Sequence, residues 1–264
     1  LTRRLLDALG ENSDIRILIV DSSPKFLRLA CEKFKNDSRV AFRLIKFIKE
    51  EKRLQLLHET VDESLYNLGV DKIVSTNAIH LYYELDNTLE SWRNILKKDG
   101  KVFVQSGNIN NADSEEGTWI IDESVEEIHK AAIEIVNEND DFADYRENLN
   151  NIDYMKKHDN LRVKYFLPVR NIRFYQDCFL KTQFNEISCQ AMTIQAKVSD
   201  WYSFLEVYHE GVLGWIGGAE KITKKSCSLK CIEDRKTLMR LAMDKIFKSK
   251  SSFNASWSYM IYEK

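Results

Sequence analysis

The chain is poor in proline, glycine and cysteine, and each scarcity excludes a kind of protein. Only two prolines and nine glycines occur among 264 residues, which argues against long flexible linkers and low-complexity segments. The five cysteines are an odd number without a dense framework, which favours a reducing compartment over a disulfide-stapled secreted domain. Cys227 and Cys231 are four residues apart, but no second Cys or His pair at ligand spacing lies nearby, and we predict no metal site.

Long apolar runs and a concentration of charge of one sign are also lacking. No stretch reaches the roughly 18 apolar residues that a membrane span needs, and the first residues do not have the pattern of a signal peptide. The formal net charge is -2 and no basic stripe is present, whereas a protein that binds nucleic acid normally concentrates cationic side chains on one face. We therefore predict a cytoplasmic protein with neither a membrane nor a nucleic acid as partner.

The first hundred residues alternate between strand and helix patterns. Residues 15–20 form an aliphatic run that ends at Asp21, as is typical of a strand buried on both faces of a parallel sheet. Ser23 and Pro24 then supply an N-cap and a first-turn proline for an amphipathic helix. Leu1, Leu5, Leu6, Ala8 and Leu9 mark an earlier helical face.

The same alternation continues to about residue 105. Strands are predicted at residues 40–45, 72–76 and 101–105. Before the last of these comes a helix that Asp86 is expected to cap and that is expected to close at Lys97, Lys98 and Gly100. Strand, helix and strand in this order predict an α/β fold with a doubly wound, mostly parallel sheet.

Two segments interrupt the strand pattern. Residues 108–168 are highly charged and helical in pattern, and residues 199–249 are helical and rich in aromatic side chains. A helix and a strand are predicted between them, over residues 171–194, and a last strand over residues 253–262. We therefore predict a sheet-containing core of residues 1–107 and 169–264, with a helical cap insertion at 108–168 and a second helical insertion at 199–249 within that core.

Asp21 is the best candidate for a ligand-binding residue. In doubly wound sheets, ligands bind at the carboxyl ends of the strands, and an acidic residue that ends the second strand, about 20 residues past a glycine-rich loop, holds a ribose. A carboxylate can accept hydrogen bonds from both ribose hydroxyls. Counting back from Asp21, we expect that glycine loop and its strand to precede Leu1. The alternative is that Asp21 only starts the turn into the next helix.

Three segments, residues 17–23, 74–80 and 96–104, resemble successive motifs of the class I S-adenosylmethionine-dependent methyltransferases of the small-molecule type. The first looks like the second-strand motif, the second like the segment that ends the fourth strand, and the third like the helix, turn and fifth strand. The resemblance covers about residues 1–107 and returns at 174–194 and 253–264. It implies a seven-stranded Rossmann-like sheet, of which the first strand is absent here, and S-adenosyl-L-methionine as cofactor.

The resemblance also implies which residues bind the cofactor. Family members often carry an acidic residue after the third strand, beside the adenine, but this chain has Lys46 to Lys49 there. Apolar packing on the adenine ring is therefore expected from Phe47 or Ile48. The cofactor-binding candidates are Asp21, Ser22, Phe47, Ile48, Thr76, Asn77 and Ala78.

Methyl transfer is an in-line displacement at a sulfonium methyl, so the protein must align donor and acceptor and deprotonate an acceptor hydroxyl. His80 ends the fourth-strand motif, three residues beyond Asn77, and is the first candidate for the base; the alternative is a histidine packed beside Leu81 and Tyr82. His209 and Glu210 are further catalytic candidates, although neighbouring helix residues do not face each other and solvated helix residues are the more frequent explanation.

The two helical insertions are expected to roof the strand ends and to enclose a pocket. The acceptor would then be a small molecule or a carrier-bound biosynthetic intermediate, such as a polyketide or another secondary metabolite, and the chain a module of a larger synthase. O-methylation is the first choice, with N- and C-methylation open. The alternatives are an NAD(P)-dependent oxidoreductase, although no Tyr-x-x-x-Lys pair occurs, and a catalytically inactive methyltransferase-like binding or scaffold module.

Overall fold

A computed structural model describes residues 2–10 and 14–264. The chain forms two compact units. The first contains Leu1–Val104, Tyr175–Ser188 and Met260–Lys264, and the second contains Gln105–Phe174 and Cys189–Tyr259. Both segments predicted as helical insertions lie within the second unit. Leu1, which the sequence places on the first helical face, lies outside the described residues.

The first unit opens with a parallel strand pair and its connecting helix. The elements are α1 (Thr2–Leu9), β1 (Ile17–Asp21), α2 (Pro24–Phe34) and β2 (Val40–Leu44). β1 and β2 pair in parallel, with Ile17 opposite Val40 and Asp21 opposite Leu44. Ser23 caps α2 as predicted, because its Oγ accepts the backbone N–H of Phe26 at 3.4 Å.

The first unit continues through short elements to a long strand. These are β3 (Phe47–Ile48) and β4 (Arg53–Leu54), which pair antiparallel, then α3 (Leu57–Thr60), α4 (Glu63–Leu68), β5 (Val70–Thr76), a 3-10 turn (Ile79–Leu81), α5 (Leu85–Ile95) and β6 (Leu96–Ser106). The amphipathic face of α5 is fully buried at Leu89 and nearly so at Trp92 and Ile95. α5 packs against α3.

Two details predicted for this region are wrong. Asp86 does not cap α5: the helix begins at Leu85, with Asp86 in its first turn, and the carboxylate of Asp86 pairs with Lys181 instead. Lys97, Lys98 and Gly100 do not close the helix, which ends at Ile95; β6 already begins at Leu96. The carbonyl of Gly100 accepts the backbone N–H of Lys264 at 3.0 Å, so pairing with the far end of the chain draws this segment into the sheet.

The remaining elements are mostly helical up to the last strand. They are β7 (Ile109–Asn110), α6 (Glu123–Glu138), a 3-10 segment (Asp140–Tyr145), α7 (Arg146–Asn150), α8 (Ile152–Tyr165), β8 (Arg170–Asn171), α9 (Ile172–Lys181), β9 (Asn185–Lys197), α10 (Val198–Val207), α11 (His209–Leu213), α12 (Glu220–Thr223), α13 (Leu229–Ile246) and β10 (Ser252–Glu263). In the second unit α6 packs on α13. Ile128, Ala132, Leu238 and Met239 are fully buried in that core.

The order of the strands identifies the fold class. The strands include the parallel pair β1-β2 and a separate four-stranded sheet of order β5-β6-β10-β9. A doubly wound sheet has the order 3-2-1-4-5-6. The pair β2-β1 corresponds to the neighbouring strands 3 and 2 of the general fold, and the pair β5-β6 corresponds to its strands 4 and 5. In this chain β10 lies between β6 and β9. The predicted α/β fold is confirmed. The first of the seven expected strands, which we place before Leu1, stays a prediction.

Among the described residues, no helix is both long enough and apolar enough to cross a membrane.

Candidate functional site

Asp21 ends β1 and turns the chain into α2. One of its carboxylate oxygens, Oδ1, accepts the backbone N–H of Ser23 at 2.7 Å. The turn-forming role that the sequence allows is therefore real. An ionised carboxylate has two oxygens and about four lone-pair sites, so this one bond does not exhaust what Asp21 can accept.

The segment after β5 lies within electrostatic range of Asp21. Burial raises the pKa of the Tyr82 hydroxyl, and the negative charge of Asp21 raises it further by a smaller amount. The ring of Tyr82 meets Trp92 edge-on, with 6.0 Å between ring centroids, which holds it against α5. The ends of β1 and β5 therefore both belong to the surroundings of the Asp21 carboxylate, as expected for the carboxyl edge of a sheet.

The carboxyl end of β5 is an exposed, tight turn. Asn77 has a φ of 47°, in the left-handed region that asparagine tolerates better than most side chains. The backbone N–H of Leu81 donates to the carbonyl of Ala78 at 2.9 Å and closes the 3-10 turn. Thr76 and Asn77 are exposed and Ala78 is half-buried. Three of the predicted cofactor-binding residues therefore form one continuous turn.

Phe47 and Ile48 form the short strand β3, just after β2. The ring of Phe47 is 57% exposed, which is unusual for a phenylalanine, and Ile48 is half-buried. The side-chain oxygen of Gln55 accepts the backbone N–H of Lys46 at 3.0 Å and ties this strand to β4. An exposed apolar ring here suits a flat partner such as an adenine. Ser22, the remaining predicted binding residue, is exposed beside Asp21.

His80 lies on the 3-10 turn after β5, where the sequence places it, and only 8% of its surface is exposed. The neighbouring Ile79 is fully buried. The burial of His80 agrees with a packed histidine, and its position on the turn that contains Asn77 agrees with a catalytic role.

His209 and Glu210 begin α11, and the structure does not bring their side chains together as a pair. The ring Nδ1 of His209 lies 3.4 Å from a guanidinium nitrogen of Arg235, whereas a carboxylate oxygen of Glu210 accepts the backbone N–H of Glu220. Burial first, and then the charge of Arg235, lower the pKa of His209. Both effects favour the neutral form of the His209 imidazole.

Arg235 organises the glycine-containing turn next to His209. The residue is fully buried, and its guanidinium donates to the carbonyls of Ile216 at 2.8 Å and Gly218 at 2.9 Å. A buried charge is tolerated where such carbonyl oxygens surround it. Trp215, which is 1% exposed, belongs to the buried core of the second unit.

Asp122 is a candidate that the sequence did not reveal. Its backbone N–H donates to Oδ1 of Asn108 at 2.9 Å, and its carboxyl group is hydrogen-bonded by the Asn108 side chain. Burial raises the pKa of Asp122 to about 7. The hydrogen bond from Asn108 lowers the pKa and offsets only part of this increase. In sequence an acidic residue before a helix is typical of an N-cap, and nothing local marks Asp122 as different.

A cleft of about 230 Å³ opens beside Asp122. Its polar lining comes from three carboxylates and Arg162, and its apolar wall from residues between α8 and β8. A partly apolar concavity with a few polar groups and a displaced carboxyl pKa is the usual form of a small-molecule site. The lining residues are Asp122, Glu123, Val125, Glu126, Arg162, Val163, Phe166, Leu167, Pro168 and Val169.

The chain is similar in fold to several solved structures. A candidate methyltransferase from Bacillus halodurans is 13% identical, with 94% of this chain and 83% of that chain covered and a TM-score of 0.47. Phosphoethanolamine N-methyltransferase 2 of Haemonchus contortus, in complex with phosphomonomethylethanolamine and S-adenosylhomocysteine, is 14% identical over 100% of this chain and 46% of that chain, with a TM-score of 0.44. A [4+2]-cyclase is 10% identical over 100% of this chain and 70% of that one, with a TM-score of 0.46.

No protein-family model and no curated protein sequence matches the chain. Because one fold hosts many reactions, the activity has to be argued from the residues of this chain.

Proposed function

We propose that the protein is an S-adenosylmethionine-dependent methyltransferase that acts on a small-molecule acceptor. The observation that carries the proposal is the position of Asp21, a carboxylate at the carboxyl end of β1, which pairs in parallel with β2. The exposed turn at Thr76 and Asn77 and the exposed ring of Phe47 add the polar and apolar surfaces that a nucleoside needs.

The residues present fit the cofactor by their chemistry. Asp21 would hold the ribose hydroxyls with the acceptor capacity that Ser23 leaves, Ser22 would assist it, and Phe47 and Ile48 would pack on the adenine ring. The turn from Thr76 to Ala78 would line the methionine end. The bound cofactor supplies an electrophilic methyl group on a sulfonium, so the task of the protein is alignment and proton removal.

We propose O-methylation, with His80 as the first candidate for the group that accepts the hydroxyl proton. His80 is on the same turn as the proposed methionine-binding residues. His209 is a second candidate because its lowered pKa keeps it unprotonated, with Glu210 as its chain neighbour. Asp122 is a third, because a carboxyl group that titrates near pH 7 can accept a proton at neutral pH.

The acceptor itself is proposed only by class. We propose a small molecule or a carrier-bound intermediate, and the carboxylates that line the cleft of about 230 Å³ favour an acceptor with hydroxyl or amino groups. Membership of a larger synthase, and a cytoplasmic location, belong to the same proposal.

Calorimetry on the full-length protein tests the cofactor assignment. S-adenosylhomocysteine is expected to bind, NAD is not, and Asp21→Asn is expected to weaken binding at least about tenfold, because a hydrogen bond to a charged group contributes roughly 1.5–3 kcal/mol. Asp71→Asn is the matched control, since Asp71 lies at the opposite end of β5 from the turn that runs from Thr76 to Ala78 and pairs with Lys97 at the surface. Binding of NAD alone would favour the oxidoreductase, and binding of neither would favour a scaffold.

Release of S-adenosylhomocysteine during turnover of hydroxylated and aminated small molecules tests the base. His80→Gln is expected to lower kcat about 100-fold with an unchanged affinity for S-adenosylhomocysteine, since general base catalysis typically contributes 10²–10⁴-fold. The same loss in Asp122→Asn, with His80→Gln fully active, would transfer the role to Asp122.

A further inference from the structure

Two cysteines that the proposed methyl transfer does not use lie together at the beginning of α13. Cys227 precedes the helix, and Cys231 is in its first turn, where its backbone N–H donates to the Oγ of the N-cap Ser228 at 3.2 Å. Cys227 lies outside the helix, so the two cysteines do not share a helix face. Instead, the two thiols hydrogen-bond to each other.

Both sulfur atoms lie over the same glycine. A Cβ atom built on Gly217 would come 2.5 Å from Sγ of Cys231 and 3.1 Å from Sγ of Cys227. Gly217 also has a φ of +71°, so both the backbone conformation and the close approach require glycine here. The two sulfurs are thus held near each other by the fold and not by chance contact of flexible side chains.

The surroundings of the two thiols are unequal. Burial opposes ionisation of Cys231, but hydrogen bonds with Ser228 and Cys227, together with the charge of Arg235, bring its pKa below the usual value. Burial raises the pKa of Cys227. A thiol in the first turn of a helix is also favoured as a thiolate by the helix dipole.

The nearby carboxylate of Asp234 disfavours a thiolate at Cys231, but it is hydrogen-bonded and paired with a cation. Asp234 accepts the hydroxyl of Tyr145, whose oxygen lies 3.7 Å from Sγ of Cys231. The ammonium of Lys230 lies 2.8 Å from the same carboxylate and offsets its charge. Cys227 and Cys231 are both half-buried, so a small oxidant can reach them.

We propose that Cys227 and Cys231 form a dithiol site that hydroperoxides oxidise to a disulfide. The Cys231 thiolate attacks a peroxide oxygen, the O–O bond breaks, and hydroxide leaves, which gives a sulfenic acid at Cys231. The sulfur of Cys227 then attacks the sulfenic sulfur, the S–O bond breaks, and the hydroxyl leaves as water with the Cys227 proton. The protein loses two electrons and the peroxide gains them. The site is independent of methyl transfer.

The test is oxidation of the full-length protein with hydrogen peroxide, followed by alkylation of the remaining thiols and peptide mass analysis. We expect the 227–231 disulfide to form at least about ten times faster than modification of Cys31 or Cys189, and dithiothreitol to restore both thiols. Cys31 and Cys189 are suitable references because both are half-buried as well.

Two serine variants separate the roles. Cys227→Ser is expected to stop at a sulfenic acid on Cys231 that dimedone captures, and Cys231→Ser to leave Cys227 reduced at the same peroxide dose. Cys189→Ser is the matched control and should oxidise like the wild type. Oxidation of Cys31 and Cys189 at the same rate as the pair, or the absence of the disulfide in protein whose circular dichroism is native, would overturn the proposal.

Discussion

Asn108 and Asp122 hold each other through two hydrogen bonds just beyond the end of β6. The Asp122 backbone N–H donates to Oδ1 of Asn108 at 2.9 Å, and the Asn108 side chain donates in return to the Asp122 carboxyl. This clamp fixes the carboxyl group in a half-buried position at the entrance of α6, beside the cleft. Burial in turn raises its pKa to about 7.

The first prediction concerns pH and Asp122. Because the pKa of Asp122 is raised on folding, the unfolded chain releases this proton between about pH 4 and pH 7 while the folded protein keeps it. The contribution of Asp122 to the free energy of unfolding therefore falls as the pH rises through this window, by about 4 kcal/mol at most. Asp122→Asn should remove that loss, so that the variant is the more stable protein at pH 8.

Urea unfolding at pH 5 and pH 8 measures the effect. The difference in free energy of unfolding between variant and wild type should grow from pH 5 to pH 8. Asp113→Asn, at an exposed position, should show no such growth. Equal differences at the two pH values would mean that Asp122 ionises normally in the folded protein.

The second prediction concerns the turn after β5. Asn77 has left-handed backbone, which costs about 1–2 kcal/mol for a residue with an ordinary Cβ. Asn77→Ala should lower the free energy of unfolding by about 1 kcal/mol more than Asn77→Gly does, because glycine adopts the left-handed region without cost. Chemical denaturation compares the two. A glycine variant less stable than the alanine variant would contradict the conformational argument.

The third prediction concerns Arg235. Its replacement by Met leaves the carbonyls of Ile216 and Gly218 without their charged donor, which should cost about 3 kcal/mol or more. Arg240→Met is the control, because the Arg240 guanidinium lies over the Tyr202 ring at 4.7 Å from its centroid, a contact worth about 0.5–1 kcal/mol at an exposed position. Urea midpoints give both values, and equal losses would refute a special role for Arg235.

The fourth prediction separates the cap of α2 from the proposed ribose site. Ser23→Ala removes the Oγ that accepts the N–H of Phe26 and should cost about 1 kcal/mol. It keeps the Ser23 backbone N–H that donates to Asp21, so the affinity for S-adenosylhomocysteine should stay within about twofold of wild type. Thermal unfolding and calorimetry on one preparation measure both quantities. A large loss of affinity would show that the hydroxyl itself belongs to the site.

Local patterns predicted the elements best where the signal lies within a few neighbouring residues. The Ser23 cap, the first-turn Pro24 and the aliphatic run before Asp21 each act over one or two turns of chain, and α2 and β1 formed accordingly. The wrong assignments involve distant partners. Asp86 has the composition of a cap, but Lys181 takes its carboxylate, and Gly100 looks like a helix stop, but Lys264 pairs with it.

The sequence alone determined the α/β alternation, the position of Asp21 at a strand end and the helical nature of residues 108–168 and 199–249. These features follow from hydrophobic periodicity and capping, which are properties of short segments. Only the tertiary structure decided the displaced pKa of Asp122, the burial of Arg235 and the meeting of Cys227 with Cys231 over Gly217. Each of these depends on which parts of the folded chain surround a side chain. The periodicity and capping patterns of short segments do not contain that information.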